Sequence, residues 1–337
     1  GLTATQVALT LTPSIPPNPV TAAASGTTNV TITMTLENAV GATVNSNGTT
    51  TLVLSDIGSG YFSATNGATE AASASSLNVS ITTGKSSATA YFGDENTGPD
   101  TISAINGTVN WGSASLTIQG GAPTQVAITP STLTPAVAST TNTSLTFQLE
   151  DAFGNNAVSA GTTTLALSNS GSGFFATTSG TTGTSTLNVT FAMGSGTATA
   201  YFGNETSGSD LITAKNGAST WATSTLTLAP GVATIVQITL SPAAPTQSAT
   251  TNTTVTLQLE DQFKNHVSTS GVSLTLSNSG SGFFATKPGV AGATTLALTT
   301  NASGVATGYF GNNAIGQSDT ITASGSGLSA TTPPFTV

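Results

Sequence analysis

The chain has 337 residues, of which 37% are hydrophobic and only 5% charged, with a formal net charge of −9. Its lysines are Lys85, Lys215, Lys264 and Lys287 and it has no arginine, so no basic patch can form for nucleic acid or for an anionic membrane surface. Cysteine is absent, which excludes disulfide staples, and no apolar run approaches the ~20 residues of a membrane-spanning helix.

In chain order the sequence repeats itself three times. Gln6-Val7-Ala8-Leu9 returns as Gln125-Val126-Ala127-Ile128 and as Gln237-Ile238-Thr239-Leu240. Met34–Ala42 returns as Phe147–Asn155, where it reads Phe-Gln-Leu-Glu-Asp-Ala-Phe-Gly-Asn, and as Leu257–Asn265. Gly58-Ser59-Gly60-Tyr61-Phe62 matches Gly171–Phe175 and Gly280–Phe284, and Tyr91-Phe92-Gly93 matches Tyr201–Gly203 and Tyr309–Gly311. Asp100-Thr101-Ile102, Asp210-Leu211-Ile212 and Asp319-Thr320-Ile321 close the series. From Tyr91 to Tyr201 is 110 residues and from Tyr201 to Tyr309 is 108. That period is too long for a solenoid repeat and suits a whole domain.

Within a unit the apolar residues alternate with period two, the signature of strands half-buried in a sheet. In the middle unit the expected core residues are Val126 and Ile128, then Leu145, Phe147 and Leu149, then Leu165 and Leu167. Leu187, Val189 and Phe191 follow, then Ala198, Ala200 and Phe202; the sixth strand starts at Leu211-Ile212, and the seventh carries Leu226 and Leu228. Seven such strands, separated by Gly, Asn and Ser clusters, predict an all-β chain of three tandem immunoglobulin-like sandwiches: 1–120, 121–231 and 232–337. Prolines early in each unit (Pro13, Pro16, Pro17 and Pro19; Pro130 and Pro135; Pro242 and Pro245) predict that the first strand lies at an edge and breaks midway, switching sheets. The linkers Gln119–Pro123 and Ala229–Val232 are too short for a tether, so the units should stack end to end into a rod of roughly 110–120 Å. Phe335 and Val337 match Leu226 and Leu228, which predicts that the third unit closes there.

Leu149–Asn155 and Thr300–Thr307 (Thr-Asn-Ala-Ser-Gly-Val-Ala-Thr), with Asp319-Thr320-Ile321-Thr322-Ala323, resemble the bacterial immunoglobulin-like repeats of invasin- and intimin-type surface proteins. The resemblance covers all three units, most clearly the third. It implies an extracellular spacer or stalk. The outer-membrane anchor and the terminal lectin-like domain of that family have no counterpart in this sequence, which favours a structural role over receptor binding.

Little in the residues points to catalysis. His266 is the sole histidine, has no counterpart in the other units, and reads as an exposed loop residue. Trp111 and Trp221 stand at equivalent places, with Leu328 in the third unit, which marks a packing position and not a sugar platform. The acids recur with the repeat, whereas a catalytic pair would occur once.

Strand order brings certain loops together. The turn after the second strand lies at a unit's N-terminal end, and the turn between the fifth and sixth strands at its C-terminal end. Asp94, Glu95 and Asp100 should therefore approach Glu150, Asp151 and Asn155, and Asn204, Glu205 and Asp210 should approach Glu260, Asp261 and Asn265. Two roles suit these residues: ligands for Ca²⁺ at each domain junction, or carboxylates that cap their own turns through Asx hydrogen bonds. The function expected is a non-catalytic extracellular structural protein, a rod serving in a filament, stalk or surface layer. Its partners would be copies of itself, with Asn312 and Asp319 facing Glu37 and Asn38 of the next subunit, or with a strand shared between subunits. The alternative is an adhesin or carbohydrate-binding spacer that contacts surface glycans through the divergent first unit, with its longer 43–48 and 64–76 loops.

Overall fold

The computed structural model describes residues 3–12 and 20–337, and almost every element in them is a strand. The first domain holds β1 (Gln6–Thr12), β2 (Val20–Ala23), β3 (Val30–Glu37), β4 (Thr50–Asp56), β5 (Tyr61–Ser63), β6 (Ser76–Ile81), β7 (Ser87–Gly93), β8 (Gly98–Asn106) and β9 (Val109–Gln119). The second holds β10 (Gln125–Pro130), β11 (Thr143–Glu150), β12 (Thr163–Asn169), β13 (Phe174–Ala176), β14 (Thr186–Phe191), β15 (Thr197–Gly203), β16 (Gly208–Asn216) and β17 (Ser219–Leu228). The third holds β18 (Ile235–Ser241), β19 (Thr253–Glu260), β20 (Ser273–Asn278), β21 (Phe283–Ala285), β22 (Thr295–Thr299), β23 (Val305–Gly311), β24 (Ser318–Asp319), β25 (Ile321–Gly325), β26 (Leu328–Thr331) and β27 (Phe335–Thr336).

Each domain is two packed sheets. In the middle domain one sheet has the order β10-β11-β15-β13 and the other β14-β12-β16-β17. The corresponding orders are β1-β3-β7-β5 over β2-β9-β8-β4-β6 in the first domain, and β18-β19-β23-β21 over β22-β20-β25-β26 in the third. This is the immunoglobulin-like sandwich that the alternation predicts, with a short strand in each domain (β5, β13 and β21) beyond the seven expected. Alternation is cleanest in β3 and β11, where every second side chain is fully enclosed: Val30, Ile32, Met34 and Leu36, then Thr143, Leu145, Phe147 and Leu149. Their apolar members, with Val255, Leu257 and Leu259 of β19, belong to three separate hydrophobic cores, one per domain.

The first strand is an edge strand in all three sheets. In the first domain it changes sheets: β1 pairs antiparallel with β3, and β2 pairs parallel with β9 on the opposite side. The prolines expected to break it, Pro13, Pro16, Pro17 and Pro19, lie outside the described residues. In the second domain the switch follows Pro130, after which Val137 N–H donates to the Ala229 carbonyl and Ala229 N–H to that of Pro135. At the chain's far end, Phe335 sits opposite Asp319 as Leu226 sits opposite Asp210, so β27 fills the place of the last half of β17.

One internal device is copied three times. Phe62 and Phe92 stack tilted at 5.2 Å, and Phe175–Phe202 and Phe284–Phe310 do so at 5.3 Å. Gly60, Gly173 and Gly282 each pass directly over the second ring of the pair, where a Cβ would overlap it. The Gly-Ser-Gly runs thus give close approach of backbone to ring in each domain. Trp111 and Trp221 are partly buried against their cores, as is Leu328, in agreement with a packing role.

Candidate functional site

The turn that follows the second strand is built around one carboxylate. Asp151 is 1% exposed, and its Oδ1 accepts the N–H groups of Phe153 (2.9 Å) and Asn155 (3.0 Å). Its Oδ2 accepts Gly121 N–H from the interdomain linker at 2.9 Å, and Asn155 Nδ2 donates to both oxygens at 3.0–3.2 Å. Gly154 takes a positive φ of 82° to close the turn. Burial on its own would raise this carboxyl. The Asn155 amide and the N–H groups of Gly121, Phe153 and Asn155 outweigh burial and hold it below the ordinary aspartate range.

The same turn reaches the domain before it. Asn155 Nδ2 donates to the backbone carbonyl of Glu95 at 2.7 Å. At the second junction Asn265 Nδ2 donates to the Glu205 carbonyl, also at 2.7 Å. Asp261, with no exposure at all, accepts Phe263 and Asn265 N–H at 2.9 Å, Gly231 N–H at 2.8 Å and the Asn265 amide. Burial opposes its charge, and the Asn265 amide and backbone donors again prevail and lower its pKa. Ser207 N–H adds a bond to Asn265 Oδ1 at 2.8 Å. The Asp–Asn pair is therefore a latch that ties three segments together: the previous domain's loop, the linker and its own turn. Phe263 from the second turn packs against the core of the middle domain, which adds apolar contact to the polar bond.

The loops that strand order was expected to bring together do meet, and the carboxylates divide among different tasks. Asp151 and Asp261 are occupied by N–H donors, the Asx-turn role. Glu95 and Glu205 contribute carbonyls to the latch. Glu150 is half-buried, and its carbonyl accepts Thr124 N–H. Asp210 faces inward: its Oδ1 accepts Ser170 N–H and Gly171 N–H at 3.0 and 2.9 Å, and its Oδ2 accepts Asn204 Nδ2 at 3.0 Å. Asp319 likewise accepts the Ser279 hydroxyl, Gly280 N–H and Asn312 Nδ2. Asp94 and Asp100 occupy the corresponding places in the first domain, both nearly fully buried. Among the described residues no group of three or more His, Cys, Asp or Glu is placed to share a metal ion.

The remaining candidates are quickly placed. The His266 side chain is 68% exposed, with Nε2 3.9 Å from Glu260 Oε1. Asp56, which the sequence reading passed over, proves to be part of the acidic end of the first domain. Its Oδ2 accepts Gly58 and Gly60 N–H at 3.1 and 2.9 Å. The signal that would have found it is the column Asp56, Asn169, Asn278 across the three copies.

No protein-family model matches the chain, and no curated protein matches it in sequence. Several solved structures are similar to it. They include the Escherichia coli adhesin FdeC, at 18% identity over 100% of this chain and 98% of that one, with a TM-score of 0.43. Yersinia pseudotuberculosis InvD matches at 16% identity over 99% and 98%, with a TM-score of 0.43. Invasin, a bacterial integrin-binding protein, matches at 14% over 99% of this chain and 60% of that one, with a TM-score of 0.41. The chain thus spans about 60% of the invasin structure. Proteins of this kind are the ones that the 149–155 and 300–307 motifs resemble.

Proposed function

We propose that this chain is a non-catalytic, stiff spacer in a bacterial cell-surface protein, holding whatever it joins at a fixed distance and orientation. The observation that carries this reading is the repetition of the latch. Asn155 to Glu95 and Asn265 to Glu205 bridge the same sequence separation at the same 2.7 Å, and the linker N–H meets the same carboxylate oxygen in both. A hinge selected for motion would have no use for a buried carboxylate held by four donor groups at each joint. A catalytic group would have no reason to occur twice in equivalent positions.

The same geometry bears on assembly. In the first domain Ala42 stands where Asn155 and Asn265 stand in the others, and Asn38 alone holds the turn by accepting Val40 and Ala42 N–H. In the third domain the carbonyl equivalent to those of Glu95 and Glu205 is that of Asn313, which already accepts Gln247 Nε2 at 2.8 Å. A filament, stalk or surface layer made of copies of this chain would therefore join its ends through contacts other than the latch.

Electron microscopy of the intact chain tests the spacer reading. Straight particles of uniform length are expected. Particles bent at either junction over a wide range of angles would reject it.

A further inference from the structure

The three domains carry the same loop arrangement at their C-terminal ends, and the first departs from it in a consistent direction. In the second domain the buried Asp210 receives hydrogen bonds from Ser170 N–H, Ser170 Oγ, Gly171 N–H and Asn204 Nδ2. In the third, Asp319 receives them from Ser279 Oγ, Gly280 N–H, Thr320 N–H and Asn312 Nδ2. In the first, Ile57 replaces the serine, Asp94 replaces the asparagine, and Asp56 replaces Asn169 and Asn278. The Gly58 N–H, whose counterparts serve Asp210 and Asp319, goes to Asp56. Asp100 keeps a 2.6 Å bond from Thr101 N–H, and its Oδ2 is buried without any partner.

Asp94 is oriented as its asparagine counterparts are. Its Oδ1 accepts Ser59 Oγ at 3.1 Å and Asn96 N–H at 2.8 Å, as Asn204 Oδ1 accepts Ser172 Oγ at 3.1 Å and Thr206 N–H at 2.9 Å. The second arm of Asp94 then occupies the place of Asn204 Nδ2, which in that domain donates to the aspartate's Oδ2. Where the other domains set an N–H donor against a carboxylate oxygen, the first sets oxygen against oxygen, at 4% and 3% exposure. Two buried carboxylates in that relation cannot both stay ionised unless a cation lies between them, and without one the pair holds a proton. Both line a cavity of about 100 Å³ that Gly58, Ser59, Asn96 and Pro99 complete.

We infer that this end of the first domain is a binding site for a calcium-sized divalent cation, with Asp94 and Asp100 as its carboxylate ligands. Ser59 Oγ lies beside them as a neutral oxygen, Asp56 adds a third negative charge nearby, and water completes the six to eight oxygens that such an ion takes. The site is distinct from the junction latch, whose carboxylates are already saturated by N–H donors. It is also independent of the spacer reading, since it stands or falls on the first domain alone.

The test is calorimetric titration of CaCl₂ into the intact, chelator-stripped chain at pH 7, with MgCl₂ in parallel. One equivalent of calcium should bind, with a Kd of about 0.1–1 mM, the range of extracellular modules. Asp94→Asn installs the amide that both sister domains carry, so that variant has a folded precedent within the same chain. It should keep its β-sheet circular dichroism and lose the binding. Asp151→Asn, at the latch, should retain it. Absence of calcium binding by the unmodified chain would overturn the proposal, as would undiminished binding by Asp94→Asn.

Discussion

The two joints between the domains and the two unpaired faces of the first and third domains in this chain are made from the same loops, and they differ at few residues. At the inner joints an Asp–Asn turn and a loop carbonyl face each other and bond. At the outer end of the first domain the turn survives without the asparagine, and at the outer end of the third the carbonyl is bonded within its own domain. The comparison separates what the turn needs in order to fold from what the joint needs in order to hold. Asx capping and the turn's own backbone bonds suffice to make the turn, as Asn38 demonstrates. The extra amide at 155 or 265 and the linker N–H at 121 or 231 make the joint.

The comparison breaks most severely at the buried carboxylate. Asp261→Ala should destabilise the third domain by about 3 kcal/mol, because it strands the N–H groups of Gly231, Phe263 and Asn265. A urea unfolding series would read this directly, with Asp151→Ala behaving alike. Acid should approach the same end point without mutation. Both carboxyls have folded pKa values below their unfolded value of about 3.9. The stability they contribute is complete above that value and is lost as the pH falls through it toward the folded pKa. Thermal midpoints should therefore hold from neutral pH down to about 5 and fall below about 4. A smaller dependence is expected once both aspartates are replaced by asparagine.

Removing the asparagine amide, which serves both the buried aspartate and the preceding domain's carbonyl, should cost less than removing the carboxylate. Asn155→Ala and Asn265→Ala each remove the bond to the preceding domain and are expected to cost about 1 kcal/mol in unfolding. Their main effect should be looser joints, visible as faster proteolysis of the 119–123 and 229–232 linkers. Lys264 sits where the other copies have Gly41 and Gly154, at a φ of 67° that a side chain disfavours. Lys264→Gly should raise the stability of the third domain by about 0.5–1 kcal/mol. The smallest effect sharpens the comparison from the other side. Ala42→Asn adds the latch amide to a turn whose bonds all lie within the first domain, so the unfolding free energy of this chain should stay within about 0.5 kcal/mol of the parent.

Much of this was legible in the residues. The three copies, the alternating strands, the edge position of the first strand and the meeting of the 94–100 loop with the 150–155 turn follow from spacing and strand order. The latch itself was not legible, for a physical reason: its acceptors are the backbone carbonyls of Glu95 and Glu205, and every residue has one. Attention to their side chains pointed to a shared metal between the domains, whereas the geometry uses those residues for their main chain and saturates Asp151 with amide donors. Likewise Asp100 cannot be distinguished from Asp210 by its own identity. The difference lies in Ile57, which lacks the hydroxyl of Ser170, and in Asp94, which stands where Asn204 does, and only comparison of columns across the repeat exposes it. Tyr61 shows the same regional effect: burial, then the charges of Glu95, Glu70 and Asp94, push its hydroxyl up to about 12.

The absence of cysteine makes the central claim directly measurable. Ser80→Cys and Thr190→Cys place two spin labels on exposed strand positions either side of the first joint, with no native thiol to compete. Pulsed electron paramagnetic resonance on the intact chain should give a single narrow distance distribution, and the same labels in Asn155→Ala should give a broad one. A parent distribution already as broad as the variant's would contradict the account, since the latch would then hold nothing.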